Sequence, residues 1–101
     1  MNAKDKGRRS EHRSMALLEA AGYRCTRSAG SLGEWDIIGI GPTDVVLCQV
    51  KTRDWPSAAE WEALKLFPAP PRQAGAPPNC RKLVHRWRDR QRLPDVREIG
   101  A

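Results

Sequence analysis

Glu34-Trp35-Asp36-Ile37-Ile38-Gly39-Ile40 and, beyond residues 41–44, Val45-Val46-Leu47-Cys48-Gln49-Val50-Lys51 read as the two arms of a β-hairpin. Strand side chains alternate between faces, so Gln49 and Lys51 share a face with Val45 and Leu47, and Asp36 shares one with Ile38 and Ile40. A turn at Pro42-Thr43 sets residue 40 opposite 45, 38 opposite 47 and 36 opposite 49, with opposed Cβ atoms roughly 4.5–5.5 Å apart. Half of the shared face is then aliphatic, and the other half carries a carboxylate, an amide and an ammonium. Unpaired charge on an inward face is expensive, so this end of the hairpin is where chemistry is expected. A structural ion pair between Asp36 and Lys51 at a wet hairpin end accounts for the same residues.

Outward from the hairpin, the chain has room for one domain with a modest core. Of its 101 residues, 40% are hydrophobic and 30% charged. No apolar run approaches the roughly 20 residues of a membrane span, and the N-terminus lacks the apolar stretch of a secretory signal. Cys25, Cys48 and Cys80 are scattered, without metal-ligand spacing, which suits reduced thiols in a cytoplasm; Cys48 alternates into the apolar core. Net charge is +6, and 13 of the 18 basic residues are arginine. Guanidinium groups grip phosphate oxygens in a bidentate way, so nucleic acid is the expected partner. A basic surface from arginine-rich codon usage is the plainer reading of the same bias.

Residues 1–7 are expected as a flexible basic tail, residues 8–101 as a single domain. A helix is expected from about Arg9 to Ala21, closed by Gly22, with Met15, Leu17, Leu18 and Ala21 as its apolar stripe. Glu11 extends that stripe by one turn, either as a functional carboxylate or as an acid favoured near the helix start. Residues 23–28 read as a short strand, and Ala29-Gly-Ser-Leu-Gly33 as a small-residue loop. Ser57 and Glu60 have capping-box spacing, opening a helix over about 58–67 with Trp61, Leu64 and Phe67 inward. The proline-rich residues 68–79 form a surface loop, and residues 81–87 and 95–99 a second hairpin around Asp89-Arg-Gln-Arg92. His12 and His85 lack ligand spacing and read as surface or structural. The order helix, strand, strand, strand, helix, strand, strand gives an α/β fold: a mixed central sheet of about five strands flanked by helices.

Glu11, Asp36, Gln49 and Lys51, spaced in this order with Gly7-Arg-Arg-Ser-Glu11 and Arg27-Ser-Ala-Gly-Ser-Leu-Gly33 before the hairpin, resemble the PD-(D/E)xK nuclease superfamily. Within it, residues 7–53 are most similar to archaeal-type Holliday junction resolvases. The family usually has Glu at the position of Gln49; Gln-x-Lys resembles the Mrr-type restriction endonucleases. The resemblance implies a restriction-endonuclease-like fold, a Mg2+ or Mn2+ cofactor, and a homodimer that hydrolyses phosphodiester bonds in branched or four-way DNA. It implies Glu11, Asp36, Gln49 and Lys51 as the catalytic set, with Asp36, Gln49, the Val50 carbonyl and Glu11 toward the metal. Arg8, Arg9, Arg27, Ser31 and Arg53 are the implied backbone-phosphate contacts. No small-molecule cofactor and no membrane are implied. A DNA-binding module that has lost catalysis through Gln49 is the alternative on the same fold; a basic interaction protein leaves Glu11, Asp36 and Lys51 unexplained.

Overall fold

The fold follows from how two amphipathic helices bury the two faces of one sheet. A computed structural model describes residues 3–28, 35–67 and 79–99. In chain order these form α1 (Ala3–Ala20), β1 (Arg24–Arg27), β2 (Ile37–Ile40), β3 (Val45–Thr52), α2 (Ala58–Leu66), β4 (Cys80–Trp87) and β5 (Asp95–Ile99). The strands lie in the order β1-β2-β3-β4-β5. All neighbours are antiparallel except β3 and β4, which run parallel, as the intervening helix α2 permits.

The hairpin register is the one expected: Ile40 pairs with Val45 and Ile38 with Leu47. The Gly41 N–H donates to the Asp44 carbonyl at 2.8 Å and closes the turn. The regular ladder ends at Ile37 and Cys48, one pair short of the expected 36–49 opposition.

Alternation along β3 divides the core. Val46 and Cys48 pack with Leu18, Ile37 and Leu83 beneath α1, while Leu47 joins Trp35, Leu64 and Val84 beneath α2. Burial pushes the Cys48 thiol far up, aided by the Asp36 charge, so it stays protonated. Helix α2 starts on the expected capping box: the Glu60 N–H donates to Ser57 Oγ and the Ser57 N–H to Glu60 Oε1. Its last turn is tied down by Lys82 Nζ, which donates to the Leu64 and Lys65 carbonyls at 3.1 Å. These carbonyls belong to the orphan set that every helix C-terminus leaves.

Helix α1 departs from expectation twice. It begins at Ala3 rather than near Arg9, so residues 3–7 are helical. No proline opposes it there, and Gly7 costs only about 1 kcal/mol in a helix. Its buried face is Ser10, Ser14 and Leu18, with Met15 half-buried and Ala21 exposed. The small serines bring the helix close to the sheet. Ser14 is fully buried and its Oγ meets His85 Nδ1 at 2.9 Å and accepts from Trp87 Nε1 at 2.8 Å. His85 is thus structural, as its missing ligand spacing suggested. The proline-rich residues 68–78 and the small-residue loop lie outside the described residues.

Burial lowers the His85 pKa to about 4, against roughly 6.5 in an unfolded chain. The unfolded chain therefore binds the extra proton between those values. Stability from this group is complete above about pH 6.5 and falls by up to roughly 3 kcal/mol as pH drops toward 4. Urea midpoints at pH 7 and pH 4.5 are expected to diverge more in the wild type than in His85→Gln. Equal divergence would contradict the buried neutral imidazole.

Candidate nucleic-acid site at the sheet end

Strand β3 outruns β2. The β2 ladder stops at Cys48, but β4 accompanies β3 to Thr52. Past Cys48, β3 is therefore without a β2 residue beside it. Asp36 fills that place: its Oδ2 accepts the Val50 N–H at 2.8 Å, where a ladder carbonyl would otherwise stand. Its own N–H donates to the Cys48 carbonyl at 3.0 Å, and its carbonyl accepts from the Ser28 N–H at 2.9 Å. Three backbone bonds so fix the acid at the junction of β1, β2 and β3. The Ser28 hydroxyl adds a bond to the Trp35 carbonyl.

Gln49 and Lys51 fall on the α2 side of β3, with Leu47. Gln49 is 6% exposed, and its Oε1 is buried without a hydrogen-bond partner among the described residues. A buried acceptor left empty costs about 1–3 kcal/mol, so this oxygen is a place where a donor or a cation is wanted. Lys51 Nζ lies 3.3 Å from Glu60 Oε2. The Ser57 N–H, and then the Lys51 ammonium, hold the Glu60 carboxyl below its usual value. Glu60 thus does two jobs, starting α2 and holding Lys51. Its capping spacing was visible in the sequence; its reach to Lys51 depends on how α2 lies across the sheet.

Glu11 sits on α1, on the opposite face from Gln49. Its Oε1 accepts from Arg27 Nε at 2.9 Å and also pairs with Arg27 Nη2. Arg27 ends β1 opposite Ile37, so the Glu11–Arg27 pair flanks the Asp36 junction. Of the residues expected to hold phosphate, Arg27 is therefore committed to Glu11. Arg8, Arg9 and Arg53 are exposed, and Ser31 lies outside the described residues. Arg53 has φ 76° and sits inside a tight turn, with the Asp54 N–H on the Thr52 carbonyl at 3.0 Å. Such backbone is strained for a residue other than glycine. The Arg53 N–H bonds the Trp87 carbonyl at 2.9 Å, which pins the turn to the end of β4.

The oxygens at this end of β3 belong to the Asp36 carboxylate, Gln49 Oε1 and the Val50 carbonyl. An all-oxygen set suits a hard divalent cation such as Mg2+ or Mn2+ rather than a thiolate- or imidazole-seeking metal. The orphaned Gln49 oxygen fits that use. Among the described residues no three His, Cys, Asp or Glu side chains group to hold a metal ion, so the negative charge at the site is sparse. No described helix is long and apolar enough to cross a membrane.

No protein-family model matches the chain, and no curated protein matches it. Among solved structures it is similar to Hjc, a Holliday junction resolvase from the archaeal hyperthermophile Archaeoglobus fulgidus, with 27% identity and a TM-score of 0.64. The match covers 94% of this chain and 72% of that one. The mixed five-stranded sheet with its two helices follows the element order expected, and it is consistent with the resolvase-like, restriction-endonuclease-like fold that the resemblance implied.

If Asp36 both completes the β3 hydrogen bonding and supplies charge, two substitutions separate the roles. Asp36→Ala leaves the Val50 N–H unmet and is expected to cost about 1–3 kcal/mol in urea denaturation. Asp36→Asn keeps an acceptor and is expected to cost less than half as much. Equal losses would contradict the Val50 bond as the structural part of its role.

Proposed function

We propose that this chain is a divalent-metal-dependent endonuclease that hydrolyses phosphodiester bonds in DNA, with branched or four-way junctions as its substrate. The observation that carries the reading is the Asp36 carboxylate fixed on the Val50 N–H, one residue along β3 from Gln49, whose buried oxygen has no partner among the described residues. The likeness to a Holliday junction resolvase supports the substrate class.

Asp36, Gln49 and the Val50 carbonyl would hold the cation, with Glu11 on the flank. When bound, a divalent ion offsets charge on the scissile phosphate and activates a water. The work of the chain's own groups is positional. Asp36 orients its carboxylate through Val50, and Lys51 brings a positive charge to the side where a water would attack, stabilising charge as it develops. Glu60 holds Lys51 until a phosphate competes for it. Arg8, Arg9 and Arg53, with Ser31, contact the phosphate backbone, and Arg27 holds Glu11 in place. Such contacts set the register of the DNA without reading its sequence.

Resolution of a junction requires two cuts in related strands, which a two-fold homodimer provides. Trp55 and Trp61, half-buried and stacked at 6.4 Å, remain candidates for that contact. Trp87 does not, since it is 3% exposed and lies beneath Arg13. Reduced thiols and a DNA substrate fit a cytoplasmic enzyme.

The second reading is a DNA-binding module without catalysis, or with the weak activity of a Gln-x-Lys variant as in Mrr-type enzymes. It is favoured by the Glu11–Arg27 pair and by the sparse acidity of the site. Incubation with linear, nicked, flap and four-way DNA, with and without Mg2+ or Mn2+, tests both readings. Under the first, wild type cuts in the presence of metal, and Lys51→Ala loses at least about a hundredfold in rate while DNA affinity changes little. Full activity in Lys51→Ala removes Lys51 from the chemistry. Under the second, only Gln49→Glu cuts.

A further inference from the structure

The parallel pairing of β3 and β4 brings their C-terminal ends to one edge of the molecule, and a second basic feature stands there beside the candidate cleavage centre. The turn between β4 and β5 reads Arg88-Asp-Arg-Gln-Arg92. Its shape is fixed from within: the Arg88 N–H donates to Gln91 Oε1 at 2.7 Å, and Arg90 takes a left-handed φ of 65°. It is also fixed from outside by α1. Arg13 Nη2 donates to the Gln91 carbonyl at 2.7 Å and the Arg92 carbonyl at 3.3 Å, with its guanidinium 4.0 Å over the Trp87 ring.

Between helix and turn lies a cleft of about 140 Å3, lined by Arg9, Arg13, Arg88 and Arg90, with Trp87 at its base and Asp89 as its single acid. That volume has room for several waters and so for one tetrahedral oxyanion. Arg13 spends its hydrogen bonds on neutral carbonyls, which leaves its charge uncancelled. Arg88 shares Asp95 with Arg86, at 3.2 and 2.6 Å. Arg90 makes no ion pair among the described residues, and it is exposed. With Arg88 shared with Asp95 and Arg9 and Asp89 each already engaged, Arg13 and Arg90 carry the positive charge that makes the cleft attractive to an anion, and the fixed turn spares the ordering cost that flexible arginines incur on binding.

We propose that this cleft is a second phosphate-backbone site, which holds DNA on the flank of the molecule next to the cleavage centre. The proposal rests on the nuclease reading and adds a footprint: DNA crossing the ends of β3 and β4 passes Lys51 and Arg53, then reaches Arg88 and Arg90. Arg53 and the β4–β5 turn are joined through the Arg53–Trp87 backbone bond, so the two contact points move together.

The test is binding of a long duplex and a four-way junction in EDTA, measured across a potassium chloride series. Arg90→Gln is expected to lower the slope of log affinity against log salt by about 1, and to weaken binding roughly tenfold near 0.1 M salt. Arg88→Gln/Arg90→Gln should lower both further, while Arg90→Lys, which keeps the charge, stays near wild type. Wild-type binding with an unchanged slope in both glutamine variants overturns the proposal and leaves the nuclease reading intact. A loss shared equally by Arg90→Lys assigns the effect to turn shape and also overturns it. If the wild type binds no DNA at low salt, the nuclease reading fails and this site fails with it.

Discussion

The hydrogen bond from the Val50 N–H to the Asp36 carboxylate is the constraint from which the site's geometry descends. It exists because β3 is twice the length of β2, so β3 must find an acceptor where its antiparallel neighbour has ended. A buried backbone N–H without a partner is costly, and a carboxylate accepts it more strongly than a neutral carbonyl does. The acid is thereby held against β3 at Val50 by the ordinary demands of sheet completion. A chemical group has been placed without a dedicated scaffold.

The same strand sorts everything else by parity. Its even-numbered residues meet α1, and its odd-numbered ones meet α2. On the α1 side, the serine-lined helix is locked down by the Ser14, His85 and Trp87 contacts. That fixes Glu11 near Arg27, and Arg13 near the β4–β5 turn. On the α2 side, the Ser57–Glu60 capping box and the Lys82 contacts secure both ends of a short helix. Lys51 then finds Glu60 rather than open solvent. The three separate basic features, at α1, at Arg53 and at the β4–β5 turn, converge because the parallel β3–β4 pair carries their neighbours to one edge. Ligands of open α/β sheets commonly bind outside such strand ends.

Much of this was legible in the residues, for physical reasons that differ by element. The hairpin register followed from period-two alternation and a proline turn, and a one-residue slip would have moved Asp36 out of step with Gln49. The start of α2 followed from two side chains three residues apart. What local pattern does not encode is which strand lies beside which, and the parallel β3–β4 pairing rests on that. The buried serine face of α1 was read as Met15, Leu17, Leu18 and Ala21, since serine gives no hydrophobic signal even where its hydroxyl is satisfied inside. The Glu11–Arg27 and Lys51–Glu60 pairs join elements whose relative placement only the fold determines. Asp36, Gln49 and Lys51 stood out in the sequence as polar side chains on an otherwise aliphatic face, while Glu11 lies on the other face of the sheet, paired with Arg27.

The most direct test of the central claim is the anomalous diffraction of a crystal grown with Mn2+. The account requires an ion between Asp36 and Gln49, within about 2.0–2.3 Å of an Asp36 carboxylate oxygen and of Gln49 Oε1. An ion at saturating Mn2+ bound only elsewhere, with the Asp36 and Gln49 oxygens free of metal, would contradict it.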